Sequence, residues 1–251
     1  MHEPIVMTER KAGNLLETIK TLVYAVAIAL GVRTFLLEPF NIPSGSMKPT
    51  LLVGDYLFVS KFAYGYSRHS FPLSLPLMKG RLFGSLPERG DVAVFKLPSD
   101  NKTDYIKRIV GLPGDRIQVL DGVLHVNGQP VKLRHEGMFI EDLDSGRAQP
   151  VPMLTETLDN GREHLVLDIT KSGALDNTRV YEVPPDHVFA MGDNRDNSLD
   201  SRVDQVSFVP IENLIGRAEF IFFSVNGSAG LLEFWKWPWA FRLERIPSWI
   251  R

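Results

Sequence analysis

The sequence predicts a mostly β protein that begins with a membrane-crossing helix. Residues 21–32 form an uncharged apolar run. Several later segments alternate apolar and polar side chains over short stretches, as strands do. After residue 40 there is no βαβ spacing and no long amphipathic helix pattern. Together these observations predict one N-terminal transmembrane helix followed by an antiparallel β core.

The overall composition is that of a globular protein and excludes several kinds of function. The chain has 251 residues, enough for one large domain or two smaller ones. Its formal net charge is −2, and no basic run stands out, so nothing indicates nucleic-acid binding. Cysteine is absent, which excludes disulfides, a thiolate nucleophile and cysteine-based metal sites.

The N-terminal apolar segment is interpreted as an uncleaved membrane anchor covering residues 15–37. The run 21–32 alone is shorter than the roughly 20 residues that span a bilayer, and the wider window contains Lys20 and Arg33. These cations lie toward its ends, where long side chains reach the headgroups. A cleaved secretory signal fits less well, because no A-x-A site with a polar mature start follows. A buried helix of a soluble protein is the other alternative.

Positive charges near the start of the anchor predict its orientation. Arg10, Lys11 and Lys20 lie before or within its beginning, and Arg33 at the far end opposes them. The positive-inside rule then favours a cytoplasmic N-terminus, residues 1–14, and translocation of the chain that follows the anchor.

Strand-like segments follow a loop that cannot be regular helix. Residues 42–49 contain two prolines and a glycine, which favour a bent, extended conformation. Further on, Asp121 and Gly122 have the composition of a tight hairpin turn. The predicted strands cover residues 55–61, 91–96, 103–110, 116–120, 123–127, 187–191 and 217–224.

Residues 118–185 differ in composition from the rest of the β region. The stretch is polar, its strands are less apolar, and Gly, Asp and Asn mark its turns. We interpret it as an inserted β subdomain, with residues 38–117 and 186–251 forming the main β core. One continuous sheet with long loops is the alternative.

Two aromatic stretches have the composition of a membrane–water boundary. Residues 62–83 combine aromatic and aliphatic side chains with prolines and few charges. Residues 231–250 hold all four tryptophans, next to lysine and arginine. We expect both stretches to lie at the bilayer surface. Ordinary core packing of the aromatic side chains is the alternative.

Ser46 is a candidate nucleophile because of its setting. Gly45 permits close backbone approach, and the apolar, rigid residues around it can hold a hydroxyl beside a hydrophobic groove. The backbone amide of Ser46 and the hydroxyl of Ser44 are placed to stabilise a developing oxyanion. Most serines in Gly-Ser loops are turn or cap residues, which is the alternative.

A serine nucleophile needs a base, and Lys107 is the candidate. In a strand, Tyr105, Lys107 and Ile109 share one face. If that face is buried, desolvation lowers the pKa of the lysine and leaves a neutral amine. A lysine whose stem packs while its ammonium reaches water is the alternative. A histidine triad also stays open, although none of the six histidines lies in a recognised catalytic motif.

Residues 191–202 form a nearly continuous polar cluster. A solvated loop is the simplest interpretation. The functional interpretation is a network in which Asp193, Asp200 and Arg202 pair with each other or with Arg108, and a nearby serine orients the base. An EF-hand calcium loop is not predicted, because no glutamate closes the loop at its twelfth position.

Four ordered blocks of the chain together resemble the type I signal peptidases, the bacterial leader peptidases. They cover residues 38–51, 89–95, 105–115 and 192–202, and they read EPFNIPSGSMKPTL, RGDVAVF, YIKRIVGLPGD and GDNRDNSLDSR. The blocks follow a membrane anchor in the order in which the family has them. Roughly residues 118–185 are unmatched except in position.

The resemblance implies a role for each matched residue. Ser46 matches the nucleophile, Lys107 the general base, Ser44 an oxyanion donor, and Ser198 the serine that orients the lysine. A supporting charge network and the walls of shallow pockets for small side chains are also implied. The network residues are Arg108, Asp193, Asp200 and Arg202. The pocket residues are Phe40, Ile42, Pro43, Tyr105 and Ile106.

The implied activity is that of a membrane-bound serine endopeptidase that removes signal peptides from secreted preproteins after Ala-x-Ala-like sites. Members of the family need no cofactor or metal, and their substrates bind in extended form along a strand edge. The implied partners are signal peptides, the lipid bilayer and the secretion translocon. The implied location is the bacterial inner membrane, with one span and a periplasmic catalytic domain; an organellar member is the alternative. A self-cleaving Ser/Lys protease and a non-catalytic membrane-tethered scaffold that binds secretory proteins are the rival functions.

Overall fold

The computed structural model begins with one long apolar helix. It describes residues 15–71, 74, 80–142, 148–170, 172–228 and 233–250, so the predicted cytoplasmic segment 1–14 lies outside the described residues. Helix α1, Leu15–Phe35, has 21 residues, and at 1.5 Å per residue it is about 30 Å long, the thickness of a bilayer core. Within the described residues it is the one helix long and apolar enough to cross a membrane.

The helix ends two residues earlier than the predicted anchor. Leu37 already belongs to the first strand, where it pairs with Ser60. The apolar composition of the segment continues past Phe35, but strand pairing with the main sheet ends the helix there.

Strands are the main regular elements of the remaining described chain, which confirms the mostly β prediction. Their bounds are β1 Leu37–Asn41, β2 Asp55–Ser60, β3 Val92–Lys96, β4 Asp104–Gly111, β5 Arg116–Leu120, β6 Val123–Val126, β7 Gln129–Pro130, β8 Lys132–Asp142, β9 Ala148–Thr157, β10 Glu163–Leu167, β11 Tyr181–Glu182, β12 His187–Met191, β13 Val209–Pro210, β14 Leu214–Ser224 and β15 Ser248–Trp249. A short helix, α2 (Trp237–Ala240), lies near the C-terminal end. The seven predicted strands are present, as β2–β6, β12 and β14, with ends shifted by up to three residues. The other eight, which are β1, β7–β11, β13 and β15, were not predicted.

The main sheet has eight strands in the described chain. Their order is β1-β2-β14-β3-β4-β12-β13, and β15 pairs with β14. Every pair in this sheet is antiparallel, as expected. The central position of β3 and β4 matters for the site, because β4 carries Lys107.

Strand β3 shows that both faces of the main sheet are buried. Val92 and Val94 pack in one apolar cluster, while Ala93 and Phe95 pack in a second. Successive side chains of a strand point to opposite faces, so the sheet is covered on both sides. Burial on both faces holds the neighbouring strand β4 in one position.

Two smaller sheets are formed by residues 116–182. One has the order β10-β9-β8 and the other β11-β5-β6-β7. The hairpin between β5 and β6 turns at Asp121 and Gly122, whose φ angles are 48° and 77°. Positive φ at both central residues is what a type I′ turn requires, so the predicted hairpin is confirmed. The boundaries of the inserted subdomain, residues 118–185, remain a prediction.

The two aromatic stretches are described in part. Residues 72–73, 75–79 and 229–232 lie outside the described chain. Several aromatic side chains in the described parts are more than half exposed, so they are not core residues. They are Phe62, Phe83, Trp235, Trp239 and Trp249.

Candidate active site

Ser46 lies in the connection between β1 and β2, on a loop that is anchored from two sides. On one side, Met47 is completely buried in the first apolar cluster and holds the loop against the core. On the other side, the amide of Asn194 donates to the carbonyl of Ser46 at 3.1 Å, and its side-chain amide donates to the carbonyl of Gly45 at 3.3 Å. The loop therefore holds the Ser46 hydroxyl in one place.

Lys107 points from β4 directly at this hydroxyl. Its Nζ donates to the Oγ of Ser46 at 2.7 Å and to the carbonyl of Ile106 at 3.0 Å. The residue is only 4% exposed. Burial lowers the pKa of Lys107 to about 8, and the carboxylates of Asp200 and Asp193 oppose part of that shift. A lysine with this pKa has a substantial neutral fraction near pH 8, and the neutral amine accepts a proton.

Two buried ion pairs lie behind the Ser46 loop. The guanidinium of Arg108 donates to both carboxylate oxygens of Asp193, at 2.8 and 2.7 Å. Arg202 does the same to Asp200, at 2.9 Å for each bond. All four side chains are at most 1% exposed. Removing one member of such a pair lowers the free energy of unfolding by about 3–5 kcal/mol, because its partner is left as an uncompensated buried charge.

Gly192 connects the second ion pair to the Ser46 loop at close range. Its amide donates to Asp200 at 3.0 Å. A Cβ at this position would lie 2.6 Å from the carbonyl oxygen of Ser46 and 2.5 Å from the Cβ of Ser198. Only a residue without a side chain fits between them.

The structure places the two predicted accessory serines differently. Ser44 is exposed, and its Oγ lies 3.4 Å from the Oγ of Ser46. Ser198 is 8% exposed and lines the same cavity as Ser46 and Lys107. Its hydroxyl is buried and has no hydrogen-bond partner within the described residues. The orienting bond from Ser198 to Lys107 is therefore not formed in this structure.

Comparison with known proteins places the chain in a family. Residues 15–223 match the family model described as signal peptidase, peptidase S26. The chain belongs to this signal peptidase family. The signal peptidase I of Rickettsia canadensis (strain McKiel) is 41% identical over 215 residues, which cover 82% of this chain and 79% of the relative. That of Rickettsia typhi (strain ATCC VR-144 / Wilmington) is 42% identical over 211 residues, covering 81% and 78%.

A solved structure of a signal peptidase I from Enterococcus faecalis V583 is also similar to part of the chain. It is 24% identical, with a TM-score of 0.31, and the match covers 53% of this chain and 97% of that one. Family membership, carried by the sequence matches, confirms the resemblance and makes the chain a serine endopeptidase.

Three of the five predicted pocket residues of this signal peptidase line the cavity at Ser46. The cavity has a volume of about 580 Å³, and Pro43, Tyr105 and Ile106 form part of its wall. Ile42 does not: it is 3% exposed and packs in the first apolar cluster. Phe40 lines a different cavity. Side chains alternate along β1 and the start of the loop, so neighbours in sequence do not all face the same cavity.

Three polar residues that support the Ser46 loop were not among the predicted site residues. They are Thr50, Glu141 and Asn194. The hydroxyl of Thr50 donates to Asp193 at 2.5 Å. Glu141 of β8 accepts hydrogen bonds from the ammonium of Lys48 at 3.2 Å and from the side-chain amide of Asn194 at 3.3 Å. Thr50 and Asn194 lie within blocks that resemble the signal peptidases, and this position could have identified them as site residues. Glu141 lies in the unmatched polar stretch, and nothing in its sequence neighbourhood indicates this contact.

Among the described residues, no histidine lines the cavity at Ser46. His69 lies in the cavity that contains Phe40, where burial lowers its pKa to about 4. His164 is buried next to Glu156, with 3.3 Å between its Nε2 and the carboxylate. Lys107 is thus the basic side chain that faces Ser46.

One group of carboxylates in the described chain is close enough to hold a metal ion. Oxygens of Asp168, Asp176 and Asp196 lie within 4.8 Å of one another. Asp176 already accepts the amide of Gly173 at 2.5 Å, and Asp196 accepts that of Ile169 at 2.9 Å. These bonds give two of the carboxylates a structural role in their loops.

Proposed function

We propose that this member of the signal peptidase family removes signal peptides from preproteins with Ser46 as the nucleophile and Lys107 as the general base. One observation carries the assignment of roles: a buried amine with a lowered pKa lies 2.7 Å from a serine hydroxyl. A nucleophile within hydrogen-bond reach of a base is the arrangement that acyl transfer by serine requires.

The catalytic cycle follows from this contact. The neutral amine of Lys107 takes the hydroxyl proton as the Oγ of Ser46 bonds to the scissile carbonyl carbon. The resulting oxyanion is stabilised by the amide of Ser46 and the hydroxyl of Ser44. When the tetrahedral intermediate collapses, the Lys107 ammonium gives its proton to the leaving amine. Water, deprotonated by Lys107, then hydrolyses the ester and releases the signal peptide.

Apolar walls next to the reacting pair suit small side chains of the substrate. Pro43, Tyr105 and Ile106 lie within the same cavity as Ser46 and Lys107. Residues 104–107 of β4 lie beyond the part of that strand that pairs with β12, so an extended peptide can pair with them. This arrangement supports cleavage after Ala-x-Ala-like sites.

The outer surface supports a membrane location. The apolar residues of α1 are exposed along the helix, and three tryptophans near the C-terminal end are exposed as well. Helix and tryptophans would hold the site where the apolar segment of a signal peptide ends. We therefore place the chain in the bacterial inner membrane with its catalytic domain on the periplasmic side, where the bilayer and the secretion translocon are its partners.

Cleavage of a purified preprotein with an Ala-x-Ala site, in detergent, tests the proposal. Wild type should cut after the second Ala, and Ser46→Ala and Lys107→Ala should each lose several orders of magnitude in kcat while remaining folded. Lys132→Ala is the control, because Lys132 is exposed at the start of β8, does not line the cavity at Ser46 and should keep its activity.

Three other results of this experiment would contradict the proposal. Activity that survives in Lys107→Ala would place the base elsewhere. A chain that cuts only itself would favour the self-cleaving protease. Binding without any cleavage by wild type would favour the membrane-tethered scaffold.

A further inference from the structure

A second cavity adjoins the loop that carries Ser46. Its volume is about 830 Å³, within the range of sites that hold small ligands. Pro43, Ser44 and Gly45 line both this cavity and the one that contains Lys107. The two cavities therefore meet along the same short stretch of loop. An extended peptide bound next to Ser46 in the first cavity can continue into the second.

One wall of the second cavity is the free edge of a strand. In the part of the chain that the structure describes, β8 is the outer strand of its sheet and pairs only with β9. Phe139, Ile140 and Glu141 of β8 line the cavity. The backbone groups along such an edge can pair with an extended peptide.

Exposed aliphatic side chains face this cavity from both sides. Ile140 of β8 is 58% exposed, and Val53, in the turn before β2, is 44% exposed. Leu52 and Val225 add further apolar surface to the wall near Val53. An extended chain lying between these walls would bury apolar side chains against Ile140 and Val53.

Glu141 fixes the free strand edge relative to the nucleophile. It is 3% exposed and accepts hydrogen bonds from Lys48, at 3.2 Å, and from the side chain of Asn194, at 3.3 Å. The amide of Asn194 in turn donates to the carbonyl of Ser46 at 3.1 Å. The edge and the reacting hydroxyl are thus joined through two side chains, which fixes the distance between them.

We infer that this second cavity, called the β8 groove below, binds the first residues of the mature protein, which follow the scissile bond. They would lie as an extended strand paired with the free edge of β8, with apolar side chains against Ile140 and Val53. The inference rests on the proposed function, because it takes Ser46 as the point of cleavage. It makes Ile140 a specificity-determining residue for the mature side of the substrate.

A charge exchange between enzyme and substrate tests the β8 groove. Ile140→Lys and Ile140→Glu are compared with wild type on preproteins that carry Asp or Lys at one of mature positions two to five. Ile140→Lys should favour the Asp substrate over the Lys substrate by about three- to tenfold in kcat/KM, and Ile140→Glu should reverse the preference. The shift should vanish for substrates whose variable residue lies in the signal peptide.

Leu133 provides a control farther along the same strand. It is 38% exposed, lies seven residues from Ile140 and does not line the groove, so Leu133→Lys and Leu133→Glu should leave the substrate preference unchanged. Equal shifts from the Leu133 variants would mean a general field effect and would overturn the inference. So would Ile140 variants that fold, cut both substrates and show no preference.

A second measurement uses only the wild-type enzyme. Single N-methyl groups along the mature segment remove one backbone donor at a time. Pairing with β8 predicts that alternate positions lose about tenfold in kcat/KM, since every second residue of a strand directs its amide toward the same neighbour. A uniform or absent effect would overturn the inference. If wild type cleaves no preprotein at all, the proposed function fails first.

Discussion

The Nζ of Lys107 and the Oγ of Ser46 lie 2.7 Å apart although the two residues are 61 positions apart in the chain. Lys107 is held by the central strand β4, and Ser46 by a loop whose carbonyls accept hydrogen bonds from Asn194. The close contact depends on three segments of the chain that meet at one point.

The lowered pKa of Lys107 predicts an alkaline-leaning activity profile. In the proposed mechanism only the neutral amine of Lys107 accepts the Ser46 proton, and burial lowers the pKa of Lys107 to about 8. Below that value kcat/KM should therefore fall about tenfold per pH unit, and above it the rate should level off. A pH–rate profile on a short peptide substrate without other ionisable groups checks this. A rate that stays constant well below pH 8 would contradict Lys107 as the base.

Gly192→Ala should inactivate the enzyme through displacement of its neighbours. The new Cβ would lie 2.6 Å from the Ser46 carbonyl oxygen, so the nucleophile loop must shift. A misplacement of about 1 Å costs about 10²-fold in rate, and we expect a loss of at least that size in kcat. Gly84→Ala is the control, because its Cβ would meet nothing closer than 3.5 Å. Full activity in Gly192→Ala would contradict the close packing of Gly192 against Ser198 and the Ser46 loop.

Ser198→Ala should separate stability from activity. The buried Ser198 hydroxyl has no partner in the described chain, and such a group costs about 1–3 kcal/mol. Its removal should leave the free energy of unfolding unchanged or raise it. We expect kcat to fall, because the family resemblance implies that the Ser198 hydroxyl bonds to the Lys107 amine during the reaction, a bond that is absent from this structure. Denaturant unfolding and peptide cleavage measure the two effects.

Ser201→Ala is the contrasting variant for that experiment. The Ser201 hydroxyl accepts the amide of Ala190 at 3.0 Å, so its removal should lower stability by about 1–3 kcal/mol. If Ser198→Ala loses stability to the same extent and keeps full activity, Ser198 is structural only.

Glu141→Gln should lower kcat more than it raises KM for short substrates that end near the cleavage site. Gln keeps the size of the side chain but removes the charge that pairs with Lys48. A weaker connection loosens the Ser46 loop, and we expect a loss of about tenfold in kcat. Glu163→Gln on β10, where the carboxylate is half exposed, should have no effect. An unchanged kcat in Glu141→Gln would show that the loop does not depend on this contact.

Local patterns in the sequence determined the class of the protein, its long helix and seven of the fifteen strands. The apolar run predicted α1, and the Asp121–Gly122 turn predicted the β5–β6 hairpin, because both depend on interactions within a few residues. The four motif blocks identified the family, and the resemblance implied both Ser46 and Lys107 as candidate catalytic residues. Their order along the chain was sufficient for that, without any knowledge of contacts.

The tertiary structure alone decided which side chains meet. Ile42 and Phe40 precede Ser46 in sequence, yet neither lines its cavity. Glu141 reaches Lys48 across 93 residues. Contacts of this kind, like the burial that lowers the pKa of Lys107, arise only when distant strands pack against each other, and sequence periodicity describes each strand singly.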